Sequence, residues 1–172
     1  MSGNAGAWET QMLFTFCHWL ENTSLGTAVR QSAWLFPTIE TVHLFGLISL
    51  VASSSILDLR LLGLTFRQES VSKLAARCLP WAWAGFTVQV TTGFLLFSSE
   101  ATKMYGSRVF QIKMLLILLA GVNALVFHVL AYRRAAAWDD APVTPLSARL
   151  AGFLSILLWF AIVAAGRWIS YY

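Results

Sequence analysis

Four stretches of this chain are apolar over a length that matches a bilayer: residues 34–57, 81–98, 110–132 and 150–169. A hydrocarbon core about 30 Å thick is crossed by about 20 helical residues. No water is present there to satisfy backbone N–H and C=O groups, so such segments must be helical. The chain has 172 residues, of which 58% are hydrophobic, and a mean hydropathy of +0.66. The four segments and their connections use nearly everything after residue 31, which leaves no room for a soluble catalytic domain. The expected fold is therefore an all-α integral membrane protein. A four-helix transmembrane bundle over residues 32–172 follows an N-terminal interfacial segment over residues 1–31.

The signals at the segment ends agree with this division. Trp8, Met12, Phe16, Trp19 and Leu20 recur at helical spacing, with Glu9, Gln11, His18 and Glu21 elsewhere around the wheel. That stretch is too short and too polar to span, so it is expected to be an amphipathic helix lying in the interface. Asn22, Thr23, Ser24 and Gly26 break it, and Ser32 can cap the helix that follows. Pro37 suits a first turn, Pro80 precedes the second span, Arg133 and Arg134 stop the third, and the loop AWDDAPVTPLS leads into the fourth. Trp34, Trp81, Trp83 and Trp168, among eight tryptophans, fall near span ends, where the amphipathic ring favours the interface. No basic region followed by an apolar core opens the chain, so no cleavable signal peptide is expected.

Charge sets the orientation. Arg60, Arg67, Lys73 and Arg77 lie after the first span, and Arg133, Arg134 and Arg149 after the third. The other side carries Arg30, Lys103, Arg108, Lys113 and Arg167. The positive-inside rule puts the first and third connections in the cytoplasm of a bacterial inner-membrane protein, with both termini periplasmic. Cys17 and Cys78 then fall on opposite sides and form no CxxC motif. The formal charge of +4 comes from loop residues rather than from a basic run with interleaved aromatics, so no nucleic-acid partner is expected. Soluble-enzyme motifs, from the nucleophile elbow to the glycine-rich phosphate loop, are absent, and enzymatic activity is not expected.

Chemistry is concentrated in the first span. Glu40 and His43 lie three residues apart on one helix face, and ionisable groups in hydrocarbon cost roughly 2.5–3.5 kcal/mol each. Such groups mark sites or pair with neighbours. A polar seam is expected to gather Glu40, Asp58, Gln89, Thr92, Glu100, Lys113, Asn123, Ser155 and Arg167, with Glu40 in ion-pair reach of Lys113 or Arg167. Asp58 and Arg60 read as a local ion pair or helix terminus.

His43 is the leading candidate for an axial ligand of haem b, since membrane cytochromes hold haem on histidines inside a bundle. Its second ligand is open between His18, nearer in depth, and His128, inside the third span but roughly 13 Å deeper at ~1.5 Å per residue. The alternative is a neutral His43 bonded to a neighbour in the seam. For copper, the available soft and imidazole groups are Met12, Cys17, His18, His43, Met104 and Met114, with Glu40 beside them. A single Glu-x-x-His is too little for a di-iron bundle. A chain of carboxylates and histidines can also relay protons.

The phrases WLFPTIETVHLFGL, DLRLLGL, PWAWAGF, TTGFLLF, FQIKMLL, AGVNALVFH and AAGRWISYY together resemble a family of small bacterial inner-membrane proteins known mainly as a domain of unknown function. The resemblance runs from the first span to the C-terminus and does not include His18. It implies a four-span membrane fold and assigns no activity to any residue. The resulting expectation is an inner-membrane accessory subunit that binds haem b and transfers electrons, working with other membrane or periplasmic subunits. The competing expectations are a small ion-, proton- or copper-handling membrane protein, and a purely structural subunit of a larger membrane complex.

Overall fold

The computed structural model describes residues 3–130, 132, 144–169 and 171, the side chains of residues 3–7, 9 and 130 excepted. Among the described residues the regular structure is helical: α1 (Gly3–Glu21), α2 (Ser24–Gln31), α3 (Leu35–Leu61), α4 (Val71–Ser99), α5 (Ala101–Gly106), α6 (Arg108–Leu130) and α7 (Leu146–Ile169). Arg133, Arg134 and most of the loop before α7 lie outside the described residues.

Three helices, α3, α6 and α7, are long and apolar enough to cross a membrane, so a lipid bilayer is the environment of this chain. The fourth expected span, α4, is 29 residues long. Its Trp81, Trp83, Thr87, Gln89, Thr91 and Thr92 dilute its apolar character, so length and composition mark three spans rather than four. It also begins earlier than Pro80 suggests. The Ser70 hydroxyl accepts from the Lys73 N–H at 3.4 Å and sets the helix start, and the helix continues through Pro80. A proline removes one helical hydrogen bond, a defect that packing along the rest of α4 outweighs.

The most extensive packing joins α3 to α4. Two glycines permit it. A Cβ on Gly46 would lie 2.6 Å from Val88 Cγ1, and one on Gly85 would lie 2.7 Å from the Leu50 nitrogen and 2.8 Å from the Gly46 carbonyl. The two backbones are therefore in direct contact, as small residues allow between membrane helices. Helix α3 also packs on α7, and α7 on α6, while the α6 backbone approaches neither α3 nor α4. Across the molecule the order is α4, α3, α7, α6. At one end, here called the upper end, Phe97 of α4 stacks on Phe110 of α6 with centroids 5.5 Å apart and planes 14° from parallel. The lower end is closed by Leu61, Val71 and Ala148, with Leu57 and Phe127 packed against them.

Helices α1, α2 and α5 cap the upper end. Ser32 accepts from the Leu35 and Trp34 N–H groups at 3.1 and 3.4 Å, although the N-cap position of α3 is Trp34 and Ser32 ends α2. The polar break after α1 is an N-terminus as well as a stop: the Thr23 hydroxyl accepts from the Gly26 N–H at 3.2 Å and starts α2. Glu21 ties three elements together. It accepts from Arg30 Nη1 at 2.9 Å, from the Thr102 N–H at 3.0 Å and from the Thr102 hydroxyl. The Thr102 hydroxyl, ahead of the Arg30 charge, holds the Glu21 carboxyl below the usual carboxylate range, against the opposing effect of burial. Cys17 and Leu20 pack beneath this clamp on Ala101, Phe97 and Tyr105. Burial raises the Cys17 thiol above its ordinary value, and the Glu21 charge adds to the effect. Cys17 and Cys78 are both free. The stripe Trp8, Met12, Phe16 and Trp19 is exposed on the opposite face of α1.

Candidate cofactor site

His43 sits in the upper half of α3, half-buried against α4. Gly93 makes room for it, since a Cβ there would lie 3.4 Å from the ring Cε1 and 3.9 Å from Nδ1. Nδ1 is 2.8 Å from Thr92 Oγ1. The Thr92 hydroxyl spends its single proton on the Val88 carbonyl, so toward His43 it can only accept. The network therefore assigns the hydrogen to Nδ1 and leaves Nε2 with its lone pair. Gln89 Nε2 donates to the His43 carbonyl at 2.7 Å and holds the two helices in register at this level.

Lys113 approaches the same level from α6. Thr92 lies five residues before Phe97 and Lys113 three residues after Phe110. At ~1.5 Å per residue they sit roughly 7.5 and 4.5 Å below the aromatic stack. Lys113 Nζ is 3.6 Å from the position of a Cβ on Gly166 of α7. Among the described residues it has no hydrogen-bond or ion-pair partner.

The remaining candidates are dispersed. Glu40 does not reach Lys113 or Arg167. It is exposed and unpaired among the described residues, because it lies within two turns of the α3 N-terminus, where its side chain can leave the bundle. Glu100 pairs with Lys103 at 3.7 Å. Arg167 donates to the Tyr171 hydroxyl at 3.3 Å and lies 5.4 Å from its ring centroid. His128 is exposed on α6 and stacks on Tyr132 with centroids 5.5 Å apart. The register set by Phe97 and Phe110 puts it roughly 20 Å below His43. His18 is exposed on α1, 3.4 Å from Asn22 Nδ2. The copper-suited side chains are spread over α1, α3, α5 and α6. Among the described residues, no group of three or more His, Cys, Asp or Glu could share a metal ion.

A second polar cluster lies near the lower end. Asp58 is 7% exposed and lies beside Ser155 of α7, while its Oδ2 has no partner among the described residues. Gly152 brings α7 close, since a Cβ there would be 3.1 Å from the Asp58 carbonyl. Asp58 and Arg60 form no ion pair. Two residues apart on a helix, they point to opposite sides, and Arg60 instead donates to the Glu69 carbonyl at 2.8 Å and to the Thr144 hydroxyl at 3.4 Å. Asn123 donates to the Ala151 carbonyl at 3.0 Å and joins α6 to α7. The expected seam thus divides into an upper group of His43, Gln89 and Thr92 and a lower group of Asp58 and Ser155, with Lys113 on α6 outside both. Sequence reasoning did not single out Gly93 for a role at His43; its signal was a second glycine of α4, beside Thr92 and eight residues after Gly85.

Fold and site together define a helical integral membrane protein with an imidazole bonded across two helices in its upper half. The chain belongs to the family of unknown function DUF6644, whose model matches residues 16–172. The match is wider than the resemblance read from the spans and takes in His18. No curated protein and no solved structure matches.

Proposed function

We propose that this chain is a multi-pass accessory subunit of a bacterial inner membrane that binds haem b through His43 and takes part in electron transfer. The observation that carries this reading is the hydrogen-bond chain from His43 to Thr92 to Val88. Histidines that bind metals almost always donate the other ring N–H to a fixed acceptor, which orients the ring and raises its basicity. His43 has that acceptor and offers Nε2. When bound, haem supplies reversible one-electron chemistry.

The same reading takes α4 as the fourth span. It lies along α3 through Gly46 and Gly85, and it exposes Trp81, Trp83, Phe86, Val90 and Phe94 at the depth where α3 exposes Phe45 and Ile48. The apolar stripe of α1 then rests in the interface, and the loop charges put both termini in the periplasm, within reach of a periplasmic electron donor. Protein purified after expression with ample haem should show a Soret band and a sharp α-band on reduction; absence of both refutes the haem reading.

A proton-handling role is the second reading, favoured by the buried Asp58 with its unpartnered Oδ2. In proteoliposomes, proton flux that is lost in Asp58→Asn and kept in His43→Ala would select it.

A further inference from the structure

We propose that the groove between α6 and α7 at the upper end binds an anionic phospholipid, with an acyl chain along the helices and the phosphate on Arg108 and Arg167. Such a site depends only on the membrane fold and stands apart from the haem reading. Five cations belong to the upper side: Arg30, Lys103, Arg108, Lys113 and Arg167. Two are neutralised within the chain, Arg30 by Glu21 at 2.9 Å and Lys103 by Glu100 at 3.7 Å. The other three pair with no carboxylate among the described residues. All three lie on α6 and α7, and neither helix contains an aspartate or a glutamate. Unmatched cations between membrane helices attract anionic lipid headgroups.

The same two helices hold an apolar groove of about 430 Å³, lined by Val109, Ile112 and Leu116 of α6 and by Ala161, Ala164 and Trp168 of α7. The three cations are chain neighbours of this lining: Arg108 precedes Val109, Lys113 follows Ile112 and Arg167 precedes Trp168. The alanines set small side chains opposite larger ones and leave the hollow. From Val109 to Leu116 it runs roughly 10.5 Å at ~1.5 Å per residue, enough for part of one acyl chain. Trp168 stands at its upper end, 58% exposed, and tryptophan settles at the headgroup level of a bilayer. That sets the depth. Arg108 and Arg167, both exposed, fall where phosphates lie, and the groove falls among acyl chains. Arg167 meets only a hydroxyl and a ring at Tyr171, so its charge is unmatched. A guanidinium takes a phosphate through two parallel hydrogen bonds. An inorganic phosphate would gain nothing from the apolar groove, and a zwitterionic lipid would add an ammonium to a place already cationic.

The test uses the full chain, purified and delipidated in detergent, with native mass spectrometry counting bound lipid and thermal unfolding measured beside it. Phosphatidylglycerol and phosphatidylcholine with the same chains are titrated against wild type, the double variant Arg108→Gln with Arg167→Gln, Lys103→Gln and Ala164→Phe. Glycerol phosphate is added as a competitor that has the headgroup charge and no chains. Wild type should bind its first phosphatidylglycerol about tenfold to a hundredfold more tightly than phosphatidylcholine. The double arginine variant should lose that preference and Lys103→Gln should keep it. Ala164→Phe fills the groove, leaves both arginines, and should weaken both lipids. Arg108→Gln alone, at the exposed first residue of α6, should lose part of the preference, and it serves where the double variant does not fold. Equal binding of the two lipids by wild type overturns the inference, as does a preference that survives loss of the arginines. Full lipid affinity in Ala164→Phe, or displacement of the lipid by equimolar glycerol phosphate, overturns it too, since the contact would then be ionic without a groove.

Discussion

Replacing Gly85 by alanine should destabilise the bundle although it improves helix propensity. The new Cβ would lie 2.7 Å from the Leu50 nitrogen and 2.8 Å from the Gly46 carbonyl, where ordinary contact begins at 3.4 Å. Both obstacles are backbone atoms, which no rotamer change can move, so α3 and α4 must part by about 0.7 Å locally. Overpacking of this kind costs about 1–3 kcal/mol, against a propensity gain of up to about 1 kcal/mol. The same displacement stretches the His43–Thr92 contact of 2.8 Å and the Gln89–His43 bond of 2.7 Å, since they lie further along the same helix pair. Gly121→Ala is the control, because a Cβ there meets nothing within 4 Å. Reversible unfolding in mixed micelles should place Gly85→Ala below wild type and Gly121→Ala at or above it. Equal stability of all three, or a larger loss in Gly121→Ala, would refute the close approach of α3 and α4.

Further outcomes follow from the caps and loops. Glu21 has a lowered carboxyl value in the folded state, so its contribution to stability is complete above the ordinary carboxylate range and is lost as pH falls through the lowered value. Exposure of Cys17 to a thiol reagent should rise on acidification in wild type and be less dependent on pH in Glu21→Gln; an identical acid profile for both would count against the clamp. Arg60→Ala should lower stability by about 1.5–3 kcal/mol, since it removes one buried and one part-buried hydrogen bond from a charged donor. Arg77→Ala breaks an exposed pair with Glu69 and should cost well under about 1 kcal/mol; equal melting shifts for the two variants would contradict this ranking. A single cysteine at Ser107, in a chain with Cys17 and Cys78 replaced, should react with a membrane-impermeant reagent added to the periplasmic side; reaction from the cytoplasmic side alone would invert the topology.

Helix positions were legible in the sequence wherever the apolar pattern was uninterrupted, as at α3, α6 and α7. The start of α4 was hidden because Pro80 reads as a boundary, whereas the cap at Ser70 and packing on α3 decide it. Thr23 looked like part of a break because its role as the cap of α2 depends on a short helix stabilised by docking on the end of α4. At the site, the ionisable groups in the spans pointed to His43 correctly as facing a neighbour, and Thr92 and Gln89 were in the expected seam. Which polar groups meet was not legible, since a side chain two turns from a helix end can leave the bundle, as Glu40 does. The division of the seam follows from the α6 backbone lying against α7 rather than α3 or α4, a matter of helix order that span hydropathy does not encode.

The most direct measurement of the central claim is the reduced-minus-oxidised spectrum of His43→Ala, His18→Ala and His128→Ala beside wild type at matched protein yield. With His128 roughly 20 Å lower in the bundle and His18 exposed on α1, the band should vanish in His43→Ala alone and persist in the other two. A band that survives in His43→Ala, or one that vanishes with His128→Ala as well at normal yield, would contradict a haem held at the upper site through His43.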